Sequence, residues 1–390
     1  MEKLREAFQK KMNHGNEPHT FFAPGRVNLI GEHTDYNGGH VFPCALSVGT
    51  YALARKREDQ KIRLYSLNFP ETNVIEVDKQ KLSYDDKQKW SNYPLGVTEI
   101  FKKAGHDIDS GFEIVFYGNI PNGAGLSSSA SIEVLTAVIL KKLFSISIDM
   151  MDIIKLSQRA ENEFVGVNCG IMDQFSIAAG KKDHAILLNC DTLEYLQIPL
   201  KMDGLRLVIA NTNKKRGLTD SKYNERRSEC EEALKILKEE LNIEALCDLT
   251  NDQYEEHKHL IKNPVIKKRA KHAVYENNRT IAAVELLNQG DMESFGLLMN
   301  ESHRSLRDDY EVTGKELDAL VEAAWRERAV GSRMTGAGFG GCTVSIVEEG
   351  QVDSFIKKVG NHYTSKTGLE AEFYSVEAGD GAKILKEGLL

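Results

Sequence analysis

Residues 118–134 read GNIPNGAGLSSSASIEV, a stretch holding three glycines, one proline and four serines. The residues before it, FEIVFYG, read as a buried strand, and SIEVLTAVILKKLF after it reads as a helix. A glycine- and serine-rich turn that opens a helix has the makings of a phosphate site. Free N–H groups of the first helical turn and the helix dipole attract anions. Gly123 and Gly125 let the backbone approach without a Cβ, and serine hydroxyls donate to phosphate oxygens. A Walker loop would end in Gly-Lys-Ser/Thr, and no lysine stands here. The positive charge must then come from N–H groups, the dipole and a metal ion coordinated through a serine. Plain helix capping is the competing explanation, but three consecutive serines exceed what one cap needs.

The 390-residue chain is 41% hydrophobic and 28% charged, with a net charge of −8, which is ordinary globular composition. An acidic chain is a poor holder of long polyanions, so no nucleic-acid partner is expected. One local site can still take a small anion. The six cysteines are scattered without metal-like spacing and read as reduced thiols. The amphipathic start, MEKLREAFQKKMNHG, lacks the apolar run of a signal peptide, and no stretch is long enough to span a bilayer. The expectation is a cytoplasmic monomer with no membrane partner.

Along the chain, GTYALARKRE and KIRLYSLN alternate like half-exposed strands, and HAILLNC with EYLQIPL reads as a hairpin. Helical spacing predicts helices over 131–144, 150–165, 220–241, 265–288, 291–306, 314–327 and 352–363, with strands at LRLVIANTN, CTVSIVE and AEFYSVE. The fold class is α+β in two lobes, residues 1–200 and 201–390. The pair Arg226–Arg227 reads as a solvated face, and Met150–Met151 as core.

Three further stretches carry chemistry. In APGRVNLIGEHTDYNGG, residues 23–39, a strand with Arg26 runs into a turn holding Glu32, His33, Thr34, Asp35, Tyr36 and Asn37. Carboxylates, imidazole and amide are the groups that grip hydroxyls of a small polar molecule, although Asp, Asn and Gly are also ordinary turn residues. In NCGIMDQFS, Asp173 lies among Ile171, Met172 and Phe175, with Glu161 on the preceding helix. An acid in apolar company is a paired core acid, a functional one or a helix cap. In MTGAGFGGC, residues 334–342, the glycines match GxGxxG, but the element order is helix–turn–strand. The dinucleotide fingerprint needs strand–turn–helix, so that reading is rejected.

Taken together, these motifs resemble the GHMP small-molecule kinases and most closely the galactokinases, in family order from residue 23 to 342. The resemblance implies a two-lobed GHMP kinase fold with the active site in the inter-lobe cleft. It implies transfer of a phosphoryl group from ATP to the C1 hydroxyl of galactose, giving α-galactose 1-phosphate and ADP, the opening step of galactose catabolism. The loop Gly123, Ala124, Gly125, Leu126, Ser127, Ser128 and Ser129 would wrap the ATP phosphates, with Ser66 near the adenosine. Ser129 and Glu161 would hold Mg²⁺. Glu32, His33, Thr34, Asp35, Gly170 and Tyr223 would bind the sugar. Asp173 would be the catalytic base, and Arg26 would pair with it and steady the transferring group. The glycines at 336–341 would support the active-site loops. Two rivals stand beside this: a kinase for a related C1-hydroxyl sugar, and a non-catalytic sugar and ATP sensor.

Overall fold

Alternating apolar residues build a six-stranded sheet that is covered on both faces. The computed structural model of the protein describes residues 1–12, 15–120, 125–214 and 219–385. In spatial order the strands are Lys383–Leu385, His19–Asn28, Pro43–Lys56, Phe112–Gly118, Lys61–Ser66 and Ile75–Asp78. Neighbours run antiparallel except Lys61–Ser66 with Phe112–Gly118. Side chains alternate across a strand, so Phe112, Ile114 and Phe116 join Ala52 and Ala54 on one face while Val115 and Leu53 point to the other. The first face packs on helices Asn92–Lys103, Ser128–Leu143, Met150–Arg159 and Met172–Ala179. The second is closed by Leu4 and Phe8 of the N-terminal helix Glu2–Lys11. Full burial of each such large apolar side chain contributes about 1.5–3 kcal/mol.

A second, four-stranded sheet runs Gly331–Thr335, Cys342–Glu348, Leu205–Asn211 and Glu372–Val376, antiparallel throughout. Val208, Ala210 and Val347 pack beneath helices Gly314–Arg326 and Val352–Thr367. Leu207, Ile209, Val344 and Ile346 face the opposite way, into a core shared with Val27, Leu29, Ile30, Phe42 and Leu126 of the first half. The two halves are therefore joined by apolar packing where the polar turn meets the glycine-serine turn. A three-stranded sheet of His40–Val41, His184–Asn189 and Tyr195–Pro199 lies alongside. Helices Thr219–Leu237 and Pro264–Gln289 share a further core around Tyr254, Ala270 and Leu306.

The helix expected to open around Leu126–Ser129 begins at Ser128, with Ser127 ahead of it at φ +59°. Two local departures from the sequence expectations have physical reasons. The helix expected over 150–165 is α-helical only to Arg159 and continues as a π-helix over Ala160–Val165. Such wide turns rotate the residues that follow and concentrate at functional sites; here Ala160 and Glu161 are buried. A further strand, Lys383–Leu385, pairs with Phe22, Phe21 and Thr20 of the first sheet. Its three residues are too few to show a period.

Candidate active site

Arg26 stands just beyond a register irregularity between Pro24 and Arg26 in the pairing with Pro43–Lys56. Bulges of this kind re-aim side chains next to active sites. The Arg26 guanidinium is buried and forks onto Asp173: Nε donates to Oδ1 at 2.8 Å and Nη2 to Oδ2 at 3.0 Å. Its Nη1 donates to the carbonyl of Gly125 at 2.8 Å. Asp173 lies in the first turn of Met172–Ala179 and also accepts the Ser127 hydroxyl. One arginine thus ties the base candidate to the glycine-serine turn, and a planar fork fixes orientation as well as charge.

These groups open onto a cavity of about 360 Å³ whose wall includes Glu32, His33, Asp35, Gly170 and Tyr223 together with Gly125, Ser127, Ser128, Ser129 and Glu161. Gly170 and Asp35 meet closely: a Cβ at Gly170 would lie 2.1 Å from Asp35 Oδ2, so any side chain there would displace the Asp35 carboxyl. The Asp35 carboxyl is pushed up to about 7, chiefly by burial and then by Asp173 and Glu32. His33 is pushed down to about 3 by burial and by His272, so it is a neutral imidazole, with Nδ1 bonded to the Tyr36 hydroxyl at 2.8 Å. Glu32 accepts the Gly336 N–H at 2.7 Å, while a Cβ at Gly336 would meet the Gly125 carbonyl at 3.3 Å. The third glycine motif therefore holds the polar turn and passes close to the glycine-serine turn.

Glu161 is drawn inward by the π-helix. Its Oε2 accepts Gln174 Nε2 at 2.7 Å, and Ser129 lines the same cavity. Burial and then Asp173 raise its pKa. The same Gln174 amide reaches the buried Glu133 at 3.0 Å. Among the described residues the cavity wall carries four carboxyl groups, Glu32, Asp35, Glu161 and Asp173, and one guanidinium, that of Arg26. A cation brought in with a polyphosphate would offset the charge of such a wall. Ser129 and Glu161 offer adjacent hard oxygen donors of the kind a divalent cation takes when phosphates complete its shell. Among the described residues no group of three or more His, Cys, Asp or Glu forms a metal cage on its own.

Several expected residues stand elsewhere. Gly123 and Ala124 lie outside the described residues. Thr34 is buried, and its hydroxyl donates to the carbonyls of Gly31 and His40, which shapes the turn instead of lining the cavity. Leu126 is a core residue whose carbonyl accepts the Arg26 N–H. Ser66 is buried at the end of Lys61–Ser66, outside the cavity wall. Arg226 is not solvated: it is buried and donates to the Tyr310 carbonyl at 2.8 Å. Met150, expected in the core, is 36% exposed. Sequence reasoning missed Tyr310, whose hydroxyl meets that of Tyr36 at 2.8 Å, and the cavity residues Asn168, Cys169, Asn224 and Ala337. Asn168 and Cys169 adjoin Gly170 in sequence, which was the available signal.

The mixed architecture of sheets and covering helices, with a glycine-serine turn opening a helix and an arginine-held aspartate beside it, is that of the GHMP small-molecule kinases. Residues 92–181 and 283–365 match the family models described as GHMP kinases N terminal domain and GHMP kinases C terminal. Residues 6–56 match the one described as Galactokinase galactose-binding signature. A galactokinase of Fusobacterium nucleatum is 60% identical over 388 residues, covering 99% of this chain and 100% of that protein. One of Bacillus subtilis is 57% identical over 94% of each. The crystal structure of Lactococcus lactis galactokinase complexed with galactose superposes with a TM-score of 0.96 at 47% identity, covering 98% of this chain and 99% of that one. The Methanococcus jannaschii mevalonate kinase structure, at 19% identity and a TM-score of 0.67 over 94% of this chain and all of that one, shares the fold. The chain belongs to the galactokinase family.

Proposed function

We propose that the protein transfers the γ-phosphoryl group of ATP to the C1 hydroxyl of galactose. A bond forms between the C1 oxygen and phosphorus, the bond to the β–γ bridging oxygen breaks, and ADP leaves. The observation that carries this is the fork of Arg26 on Asp173, set between the serine turn and the polar wall in one cavity. Asp173 orients the attacking hydroxyl and takes its proton. Phosphoryl transfer passes through a loose transition state, so positioning and charge neutralisation dominate. The N-terminus of Ser128–Leu143 supplies N–H groups and a dipole for the phosphates. Arg26 steadies charge on the transferring group.

Ser129 and Glu161 are the residues that would hold Mg²⁺. Bound there with ATP, it would neutralise charge on the phosphate oxygens, in a cavity whose own wall is acidic. Glu32, His33, Asp35, Gly170 through its backbone, and Tyr223 bind the sugar. Ser66 serves the adenosine end: its strand neighbours the one ending at Gly118, where the chain enters the phosphate loop, and Asn68 ties the two by donating to the Gly118 carbonyl at 2.8 Å. The lobes divide near residue 200, with Lys383–Leu385 rejoining the first. The same reading has the enzyme working in the cytoplasm as a monomer; no helix among the described residues is long and apolar enough to cross a membrane.

The test is product analysis. Phosphorus NMR of a reaction with galactose, ATP and Mg²⁺ should show a sugar phosphate coupled to the anomeric proton, and a phosphate coupled to C6 protons would refute the assignment.

A further inference from the structure

Glu276 lies on the helix Pro264–Gln289 and is wholly buried. It is 245 residues from Gly31, yet its Oε1 accepts the Gly31 N–H at 2.9 Å. The same oxygen lies 3.4 Å from the Glu32 N–H and accepts the Ser302 hydroxyl at 2.5 Å. Its other oxygen is bound by Arg279. Ser302 in turn accepts Arg333 Nε at 3.1 Å, and Arg333 Nη1 donates to the Asn28 carbonyl at 2.9 Å and reaches Glu32 Oε1 at 3.4 Å. The contacts close into a ring. Glu32 is gripped by its backbone directly from Glu276, and by its carboxylate through Ser302 and Arg333.

A carboxylate buried this deeply needs several partners. Burial alone would raise its pKa, but Arg279, His272 and Arg333 outweigh that and hold it at about 2. A pair that only satisfied the buried carboxylate within its own helix would be complete with Arg279, three residues on. It would not need the two backbone N–H groups of the turn that carries Glu32, His33 and Asp35. His272, one helical turn earlier, repeats the pattern: its Nε2 bonds the Glu32 carbonyl at 3.0 Å and its Nδ1 the Ser305 hydroxyl at 2.9 Å.

We infer that Glu276 is a positioning residue for the acceptor site: it clamps the Gly31–Glu32 backbone from the second half of the chain and so sets where the polar turn presents its groups to the cavity. This deepens the reading above and rests on it for the identity of the acceptor. The clamp itself is a statement about residues 31 and 32.

Glu276→Gln keeps the volume and an acceptor but loses the charge, and charge-assisted hydrogen bonds are roughly twice as strong as neutral ones. Backbone hydrogen exchange over residues 29–37 should then speed up about fivefold, and galactose affinity by calorimetry should fall about tenfold. Affinity for magnesium and a non-hydrolysable ATP analogue should change by less than about twofold, because nothing in the ring touches the serine turn. Ser302→Ala, a smaller lesion that removes one partner of Glu276 Oε1, should weaken galactose about threefold, and in a Glu32→Gln background it should add less than that, since Ser302 also acts on the Glu32 carboxylate through Arg333. Unchanged exchange in Glu276→Gln would overturn the inference, as would equal losses of sugar and nucleotide affinity, or full additivity of Ser302→Ala with Glu32→Gln. Should Glu276→Gln fail to fold, the Ser302→Ala cycle decides. A wild-type protein that binds no galactose would refute the proposed function instead, and exchange over residues 29–37 would still decide whether Glu276 clamps the turn.

Discussion

Replacing Asp35 by asparagine should stabilise the folded protein while weakening its hold on the sugar. The Asp35 carboxyl has its pKa raised from 3.8 to about 7, by burial first and then by the charges of Asp173 and Glu32. In the unfolded chain the same group ionises near its ordinary value. Between about pH 4 and pH 7 the unfolded state has lost this proton while the folded state keeps it, so stability falls as pH rises through that window. Above about pH 7 the folded state carries the charge as well, and the penalty stays constant. At about 1.4 kcal/mol per pKa unit, the penalty is on the order of 4 kcal/mol. Asparagine cannot ionise and so escapes it. The advantage of Asp35→Asn over wild type, read as the difference in Tm by scanning fluorimetry, should grow from pH 4.5 to about 7 and then level off. Calorimetry at pH 8 should show galactose affinity reduced tenfold or more, because the carboxylate proposed to accept from the sugar hydroxyls is gone. A Tm difference that does not vary with pH would refute the reasoning, for it would mean Asp35 ionises as easily in the fold as outside it.

Asp173→Asn should lower kcat by about 10²–10⁴, the range expected for loss of a positioned proton acceptor, while nucleotide affinity measured by calorimetry stays close to wild type. Near-normal turnover would remove Asp173 from the catalytic role. Gly170→Ala puts a methyl group 2.1 Å from Asp35 Oδ2, so KM for galactose should rise at least about tenfold, with a stability cost of about 1–3 kcal/mol and little change in KM for ATP. Equal KM values for galactose would show that Asp35 is free to move aside. Glu161→Gln should shift the Mg²⁺ concentration for half-maximal activity upward by about tenfold, and chelation of divalent cations should abolish turnover in wild type. An unchanged magnesium requirement would move the metal elsewhere.

How much of this could be read in advance depended on sequence distance. Arg26, the polar turn, the serines and Asp173 sit in compact motifs whose residue types announce their chemistry, and the structure gathers them around one cavity. The strands and helices with clear periods formed close to where they were expected. What escaped notice lacks a local signal. Glu276, Ser302 and Arg333 are unremarkable residues on separate elements, and only the tertiary fold brings them to Glu32. Arg226 looked solvated beside Arg227, yet the same helix buries the first and leaves the second half-buried, because they point to different faces. The π-helix at Ala160–Val165 has no propensity signature of its own. It is visible only in where Glu161 ends up.

The most direct test of the central claim is ADP release with separate acceptors: galactose, N-acetylgalactosamine, arabinose, mevalonate and homoserine, each with and without Mg²⁺. Magnesium-dependent turnover on galactose well above every other acceptor is the predicted result. Turnover that favours another acceptor, or no ADP release despite tight binding of galactose, would contradict it.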